Sequence, residues 1–465
     1  TAVGTNSLDG NTTASDNTAV GKSSLGANTT GARNTGIGQN ALLVNTTGAN
    51  NTAVGQGALE ANTTASDNSA FGHDSLVANT TGTQNAAYGY RSMPANTTGG
   101  SNTAVGHQAL GANTTAGGNT AVGFNALDAN TTGYSNQALG CGALGANTTG
   151  HSNNAIGEAA LVANTTGTRN VAVGNNTLQT NTTGQYNLAI GHLALNDNTT
   201  ANSNVAIGTE SLDVNTTGAD NTAVGTNALG SNTTAANNVA IGSSALASNT
   251  TGACNTAIGY RSGYYLSTGD RNVAIGSDTM FGSNLKTGDE NTGVGYQSLF
   301  CLTSGTRNSA YGMSSLYNLT TGSNNIGLGY EAGADAMANF SSSETNKIAI
   351  GNNSSNTAYI KIDWTVTSDL RDKTNIGTVP HGLNFVNQLN PISYQFKTSR
   401  ENDTATGVIR YGFKAQEILA LEGENNVLVN NDNEDSLKLT GAYLLPVLVN
   451  AIKELKKEID LLKNK

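Results

Sequence analysis

Side chains able to do acid–base, nucleophilic or metal chemistry are thinly spread over these 465 residues. There are five histidines, and His73, His107 and His192 each follow a glycine at one phase of a repeat, which is where an edge residue belongs rather than a cluster. Cys141, Cys254 and Cys301 are odd in number and widely spaced, with no CxxC pair and no metal-ligand spacing, so neither a disulfide framework nor a metal centre is expected, and no cofactor is called for. No paired carboxylates and no nucleophile–base pair stand out from the repetition over residues 1–351, which disfavours an enzyme acting on an external substrate. Residues that escape the repetition lie in the last hundred or so positions. What holds them in place has to be read from the whole chain.

Composition excludes an ordinary globular domain. Charged residues make up 12%, aromatics 5%, and 57 residues are glycine. Much of the 37% hydrophobic content is alanine, so a thick core of large side chains is not expected and stability must come from many small contacts. A net charge of −10 and a pI near 4.9 argue against nucleic-acid binding, which needs a basic face. No apolar run is long enough to span a bilayer, so membrane insertion is not expected. Thr1 opens partway through a repeat with no signal-like segment before it, and the chain reads as a fragment or processed product.

Glycine recurs every 17 residues from Gly4 through Gly21, Gly38 and Gly55 to Gly276, in the pattern N-T-A-V-G-x-x-A-L-x-x-N-T-T-G-x-x. The steps then become 19, 17, 17 and 22, to Gly295, Gly312, Gly329 and Gly351. A unit this short, punctuated twice by Asn/Gly turns, predicts short strands in a β-solenoid rather than helical hairpins. Neighbours such as Ala53 and Val54, or Ala240 and Ile241, point to opposite faces of a strand, so both faces are apolar. One face lines the coil; the other has nothing to hide against except copies of the chain, so a homo-oligomer is expected, and its number, three (a homotrimer), is what family resemblance implies. At about 4.8 Å per coil the shaft would be roughly 100 Å long. Identical positions would stack into ladders: Leu25, Leu42, Leu59 and Leu76 as a core column, and Asn28, Asn45, Asn62 and Asn79 as a column of hydrogen-bonded amides. The motif N-x-A-[VI]-G resembles the head repeats of trimeric autotransporter adhesins, which form trimeric left-handed β-rolls, although the spacing here is longer than their usual repeat.

Several positions have competing readings. The N-T-T triplets match the glycosylation sequon, but a sequon fixed at one phase of a repeat is better explained as a turn with an Asn/Thr ladder. Regular Thr columns on a solenoid suit an ice-binding face, a function in which the C-terminal segment has no place. The two residues after each glycine (Lys22-Ser23, His73-Asp74, Tyr90-Arg91, Phe124-Asn125) vary and are expected at exposed edges. Aromatics thicken at Tyr260, Tyr264, Tyr265, Phe281, Tyr296, Phe300, Tyr311, Tyr317 and Tyr330. Tyr260, Tyr264, Tyr265, Tyr296 and Tyr330 would serve as a strip that stacks on a cell-surface glycan, set against the simpler reading that these rings pack a widening shaft.

From Tyr359 the alternation Ile360, Ile362, Trp364, Val366 predicts one last strand, in a connecting segment over 352–367. Composition then changes: residues 368–465 hold 12 of the 22 Lys and Arg, and the 17-residue period is gone. This segment is expected to be a separate small α+β domain. Three blocks define it: S-D-L-R-D-K-T-N-I (Ser368–Ile376) with L-N-P-I-S-Y-Q-F (Leu389–Phe396), Y-G-F-K-A-Q-E-I (Tyr411–Ile418), and Y-L-L-P-V-L-V-N-A-I-K-E-L (Tyr443–Leu455). In this order they resemble the endosialidase-type intramolecular chaperone peptidase at the C-terminus of phage tail fibres and tailspikes, with Leu421–Ser436 matching least. The resemblance implies a serine–lysine dyad with Ser368 as nucleophile, Lys373 as base and Thr367-Ser368 as the scissile bond; Asp369, Arg371, Gln416 and Glu417 match the family pattern and would orient or rigidify the site. Lysine serves as a base only when its surroundings make it neutral. A separation of five does not put both residues on one helical face, so the segment must turn or run partly extended. The competing reading is a helix cap at Ser368-Asp369 and a solvated Lys373.

Leu445, Leu448, Ile452, Leu455, Ile459 and Leu462 are spaced 3, 4, 3, 4, 3 and predict a coiled-coil helix over 444–463. Ile at a with Leu at d favours two strands, but the seam is short and the shaft is taken to set the oligomer. The expectation is a trimeric fibre of a phage tail, located on a virion and binding a host receptor, whose terminal chaperone fixes coil register and then cleaves itself; a bacterial cell-surface adhesin is the alternative, and an ice-binding or scaffolding filament a remote one.

Overall fold

The computed structural model describes the chain except at positions 283, 335–339, 353, 356–367, 398–401, 424–425, 432–436 and 465. The strand expected at Tyr359–Val366 and the residue Thr367 lie outside the described residues. The chain divides into two compact units, Thr1–Asn352 and Asn353–Lys465.

The first unit is a parallel β-solenoid of 21 strands, each pairing with the next along the chain. Nearly all are three residues long, and register advances by 17, as in Thr52↔Ser69, Ala53↔Ala70 and Val54↔Phe71. It advances by 19 at Val273↔Thr292 and by 22 at Ile326↔Ile348, where the glycine spacing loosens. Strand alternation puts the central alanine fully inside and leaves its two neighbours facing outward, half-buried or exposed. The apolar filling of each coil is mostly alanine methyl groups and one leucine. The leucines Leu25, Leu42, Leu59 and Leu76 supply the larger column, each completely buried.

Closing a coil in 17 residues forces unusual backbone. Gly55 has φ +137°, and a Cβ there would stand 2.4 Å from the carbonyl oxygen of Gly72 in the next coil, so glycine is required. Leu59 sits in the left-handed region at φ +52°, as do the equivalent leucines. That conformation ordinarily costs about 1–2 kcal/mol for an L-residue. Each coil tolerates it because the next one fixes it: Leu59 N–H donates to Ser75 O at 3.0 Å while the side chain fills the core.

Two asparagine ladders run inside the solenoid. In the first, Asn45 Nδ2 donates to Asn28 Oδ1 at 2.8 Å and to Gly48 O at 3.0 Å, and Asn62 repeats the pattern on Asn45. These amides are buried and committed, which overturns the sequon reading of the column. In the second, just before each strand, Asn51 N–H donates to Asn34 Oδ1 (2.9 Å) and Asn51 Nδ2 to Ala65 O (2.8 Å). The first ladder stops at Asn249, where the buried amide has no partner, and Leu266, Leu302 and Leu319 continue the column as apolar core. The second runs on to Asn325. Beside the first ladder, Thr29 Oγ1 donates to Thr46 O at 2.9 Å and its counterparts do the same; the second threonine of each triplet is exposed.

The second unit contains a 3-10 turn (Leu370–Asp372), a short helix α1 (Leu383–Val386), antiparallel strands Ile392–Lys397 and Ala405–Gly412, helix α2 (Ala415–Glu422), a two-residue strand pair Val429–Asn430 and Lys438–Leu439, and helix α3 (Leu444–Lys463). Its core is small: Phe385, Ile418, Leu428, Val429, Leu444 and Val447. Glu422 is buried and accepts from the N–H groups of Val427, Leu428 and Val429 at 2.9, 2.7 and 3.0 Å, folding the chain after α2 around one carboxylate. One face of α3 packs inward through Leu444, Val447 and Ala451, and is pinned where Asn450 Nδ2 donates to His381 O (3.0 Å) and Leu383 N–H to Glu454 Oε2 (2.6 Å). The seam of Leu445, Leu448, Ile452, Leu455, Ile459 and Leu462 lies on exposed positions.

Candidate functional site

The segment after position 367 neither continues as a helix nor runs straight. Asp369 is extended (φ −69°, ψ 137°) and caps the turn Leu370–Asp372 by accepting the Arg371 N–H at 2.9 Å. Lys373 leaves it extended (φ −117°, ψ 142°), with its N–H on Leu370 O at 3.2 Å. The chain thereby folds back, and Lys373 Nζ lies 2.8 Å from Ser368 Oγ and 3.3 Å from Ser368 O. The cap and the lysine–serine contact, weighed as alternatives from the sequence, are present together.

Arg371 clasps the Asp369 carboxylate through Nε (3.0 and 3.1 Å) and a terminal nitrogen (2.5 Å), and this hydrogen bonding holds the carboxyl below its ordinary range. Gln416 and Glu417 stand on α2; Gln416 is exposed and Glu417 pairs with Lys414 at 2.6 Å rather than with Ser368 or Lys373. A serine hydroxyl beside an amine is set for nucleophilic attack once the amine is neutral. Ser368 and Lys373 are both exposed in the single chain.

The aromatic region of the solenoid separates into two sets. Tyr260, Tyr296 and Tyr330 each follow a coil glycine and are about half exposed. Tyr264 and Tyr265 are half-buried and pack on each other and on Phe281 at 4.6, 5.7 and 5.5 Å, and the stack continues through Phe300 to Tyr317. Arg261 lies over the rings of Tyr260 (4.7 Å) and Phe281 (4.2 Å) while its Nε donates to Asp278 at 2.8 Å. Sequence reasoning missed a second aromatic column earlier in the solenoid. His73, Tyr90, His107 and Phe124 stack at 5.5, 5.3 and 5.3 Å, beside Phe71 on Tyr88 at 4.9 Å. Its signal was available, since all four occupy the position after a coil glycine. Also unanticipated is Lys286, buried in the 19-residue coil with Nζ donating to Phe300 O (3.1 Å) and Leu302 O; burial pushes its pKa down to about 8.

Among the described residues no group of three or more His, Cys, Asp or Glu is arranged to hold a metal ion, and no helix is long and apolar enough to cross a membrane. A search among curated proteins finds no match to the chain. Residues 368–428 match the family model Peptidase_S74, described as chaperone of endosialidase. The match begins at the serine that Lys373 touches and ends in the loop folded around Glu422. The C-terminal part of this chain is thus similar to the chaperone of endosialidase over residues 368–428 and follows, in sequence, a parallel β-solenoid of 17-residue coils, a pairing that fits a trimeric fibre carrying its own intramolecular chaperone.

Proposed function

We propose that the chain is the subunit of a homotrimeric fibre, that its C-terminal unit assembles the trimer, and that this unit then cuts the Thr367-Ser368 bond. The observation that carries the cleavage reading is the 2.8 Å contact between Lys373 Nζ and Ser368 Oγ at the first residue of the family match. In the reaction, Ser368 Oγ attacks the Thr367 carbonyl carbon as its proton passes to Lys373. The C–N bond breaks, the Ser368 amine takes up that proton, and water hydrolyses the resulting ester. Each chain turns over once. Removing the template leaves a solenoid whose persistence depends on slow unfolding.

The trimer is supported by two unpartnered apolar surfaces. The third residue of successive strands presents an outward column that includes Ile37, Val105, Leu139, Ile156 and Ile258, all about two-fifths to one-half exposed. The α3 seam is the other. A phage tail or side fibre is the first assignment, with a bacterial surface adhesin second, and the location is a virion tail or a cell exterior. Its receptor is proposed to be a surface glycan stacking on Tyr260, Tyr296 and Tyr330, with Tyr264 and Tyr265 contributing through their packed rings.

Intact-mass analysis of wild type beside Ser368→Ala and Lys373→Ala tests the cleavage. Wild type should yield a fragment beginning at Ser368 and both variants should stay whole; equal masses would remove the peptidase. For assembly, sedimentation of Ser368→Ala should show a trimer that Ile452→Asp with Leu455→Asp disperses. A stable monomer at micromolar concentration would refute the fibre. Glycan-array binding lost in Tyr260→Ala with Tyr296→Ala, but kept in His107→Ala, tests the receptor surface.

A further inference from the structure

We infer that Asp369 is a positioning residue for the Ser368–Lys373 pair, acting as the cap of the turn Leu370–Asp372 rather than through its ion pair with Arg371. This rests on the self-cleavage reading above and names what makes its geometry possible.

Ser368 and Lys373 are five residues apart. Fully extended, that separation is about 17 Å between Cα atoms, far beyond what a lysine and a serine side chain can bridge to hydrogen-bond distance. On a regular α-helix the two side chains would project about 140° apart, well off a common face. One tight turn followed by an extended residue solves the problem, because a 3-10 turn advances only about 2 Å per residue. A three-residue turn has almost no stability of its own, since nucleating a helix fixes several dihedrals for one hydrogen bond. Here it is closed from inside by Lys373 N–H on Leu370 O at 3.2 Å. At its start it is closed by Asp369 Oδ1, which accepts the Arg371 N–H at 2.9 Å from an extended backbone, the conformation of a capping residue. The Arg371 side chain adds contacts to the same carboxylate, but it is 88% exposed, and exposed ion pairs contribute little. The cap therefore sets how often Lys373 meets Ser368.

The test uses the full-length chain and follows appearance of the fragment beginning at Ser368. Asp369→Ala should slow cleavage about fivefold, the usual effect of removing an N-cap, with the trimer fraction and melting temperature unchanged. Asp369→Asn and Asp369→Ser cap as well as aspartate but cannot form the ion pair, and should cleave within twofold of wild type. Hydrogen exchange of the Arg371 amide reads the turn separately: protection should fall in Asp369→Ala and survive in Asp369→Asn. Wild-type cleavage rate in Asp369→Ala, or Asp369→Asn as slow as Asp369→Ala, would overturn the cap. An uncut wild type, or a cut Ser368→Ala, would instead overturn the self-cleavage reading, and the amide exchange would still decide whether Asp369 holds the turn.

Discussion

An interior position of the first asparagine ladder and its last asparagine make opposite predictions for the same substitution. At Asn62, replacement by leucine removes the bonds from Nδ2 to Asn45 Oδ1 (2.8 Å) and Ala65 O (3.0 Å) and the bond accepted from Asn79 Nδ2 (3.1 Å). Ala65 O keeps the donor Asn51 Nδ2, and Asn79 keeps Gly82 O, but Asn45 Oδ1 is left buried with nothing to accept from. A stranded buried acceptor costs about 1–3 kcal/mol and each lost bond about 0.5–1.5 kcal/mol. We take about 3 kcal/mol for the site, which corresponds to about 150-fold in an opening equilibrium. At Asn249 the side chain has no hydrogen bond to lose and the next coil offers Leu266, so Asn249→Leu should be neutral or slightly stabilising. Because coils contact only their neighbours, the loss should stay local. Native-state hydrogen exchange reads it: the Leu59 and Leu76 amides should exchange about 150-fold faster in Asn62→Leu, while Leu246 in Asn249→Leu should stay within threefold of wild type. Equal effects at the two sites would refute the ladder as a source of stability.

Lys286 gives a pH signature. Its folded pKa of about 8 lies below the ordinary 10.5, so between those values the unfolded chain binds the extra proton and stability rises with pH; below pH 8 the penalty is constant. Over that window wild type should gain up to about 3 kcal/mol relative to Lys286→Met, and a constant gap between their guanidinium midpoints from pH 7 to 10 would contradict a buried cation. Glu422→Ala should strip the acceptor from three backbone donors and lower the melting temperature of the C-terminal unit, followed by helical circular dichroism, by at least 5 °C, with Glu422→Gln between it and wild type. An unchanged melting temperature would remove Glu422 as the organiser of that loop.

Features that repeat at one phase were legible from residues alone: the coil glycine, the Leu25–Leu76 column, the Asn28–Asn79 ladder and the exposed edge positions after each glycine. Period 17 makes each of these a statement about stacking, independent of local propensity. What stayed hidden depends on backbone or on partners that change along the column. Leucine in the left-handed region contradicts its own preference and is held there by the adjacent coil. Lys286 reads as a solvated charge until the two-residue insertion turns it inward. The His73–Phe124 stack is spelled with three residue types and shows no identity to catch the eye. At the candidate site, Ser368 and Lys373 were named through family resemblance; the turn that joins them was written in Asp369, which had been set against the dyad as a competitor.

Self-similar coils pose a problem that local stability does not solve. From Gly4 to Gly276 a shift of 17 residues puts nearly every buried side chain on an equivalent partner, so a sister chain docked one coil out of step would lose little energy. The breaks in coil length and in the asparagine column fall at one end of the solenoid: the change from Asn249 to Leu266, the 19-residue step around Lys286, and the 22-residue step before Ile348. All of them fall in the coils that precede the C-terminal unit in sequence. If that unit brings three chains together, the coils next to it are the ones whose mismatch is costly, and correct register can pass from there toward Thr1. Exchanging Leu266 for asparagine and Lys286 for threonine would make this stretch resemble the rest. The expected result is a normal C-terminal trimer whose solenoid becomes heterogeneous in length by electron microscopy, whereas uniform particles would show that register is set elsewhere.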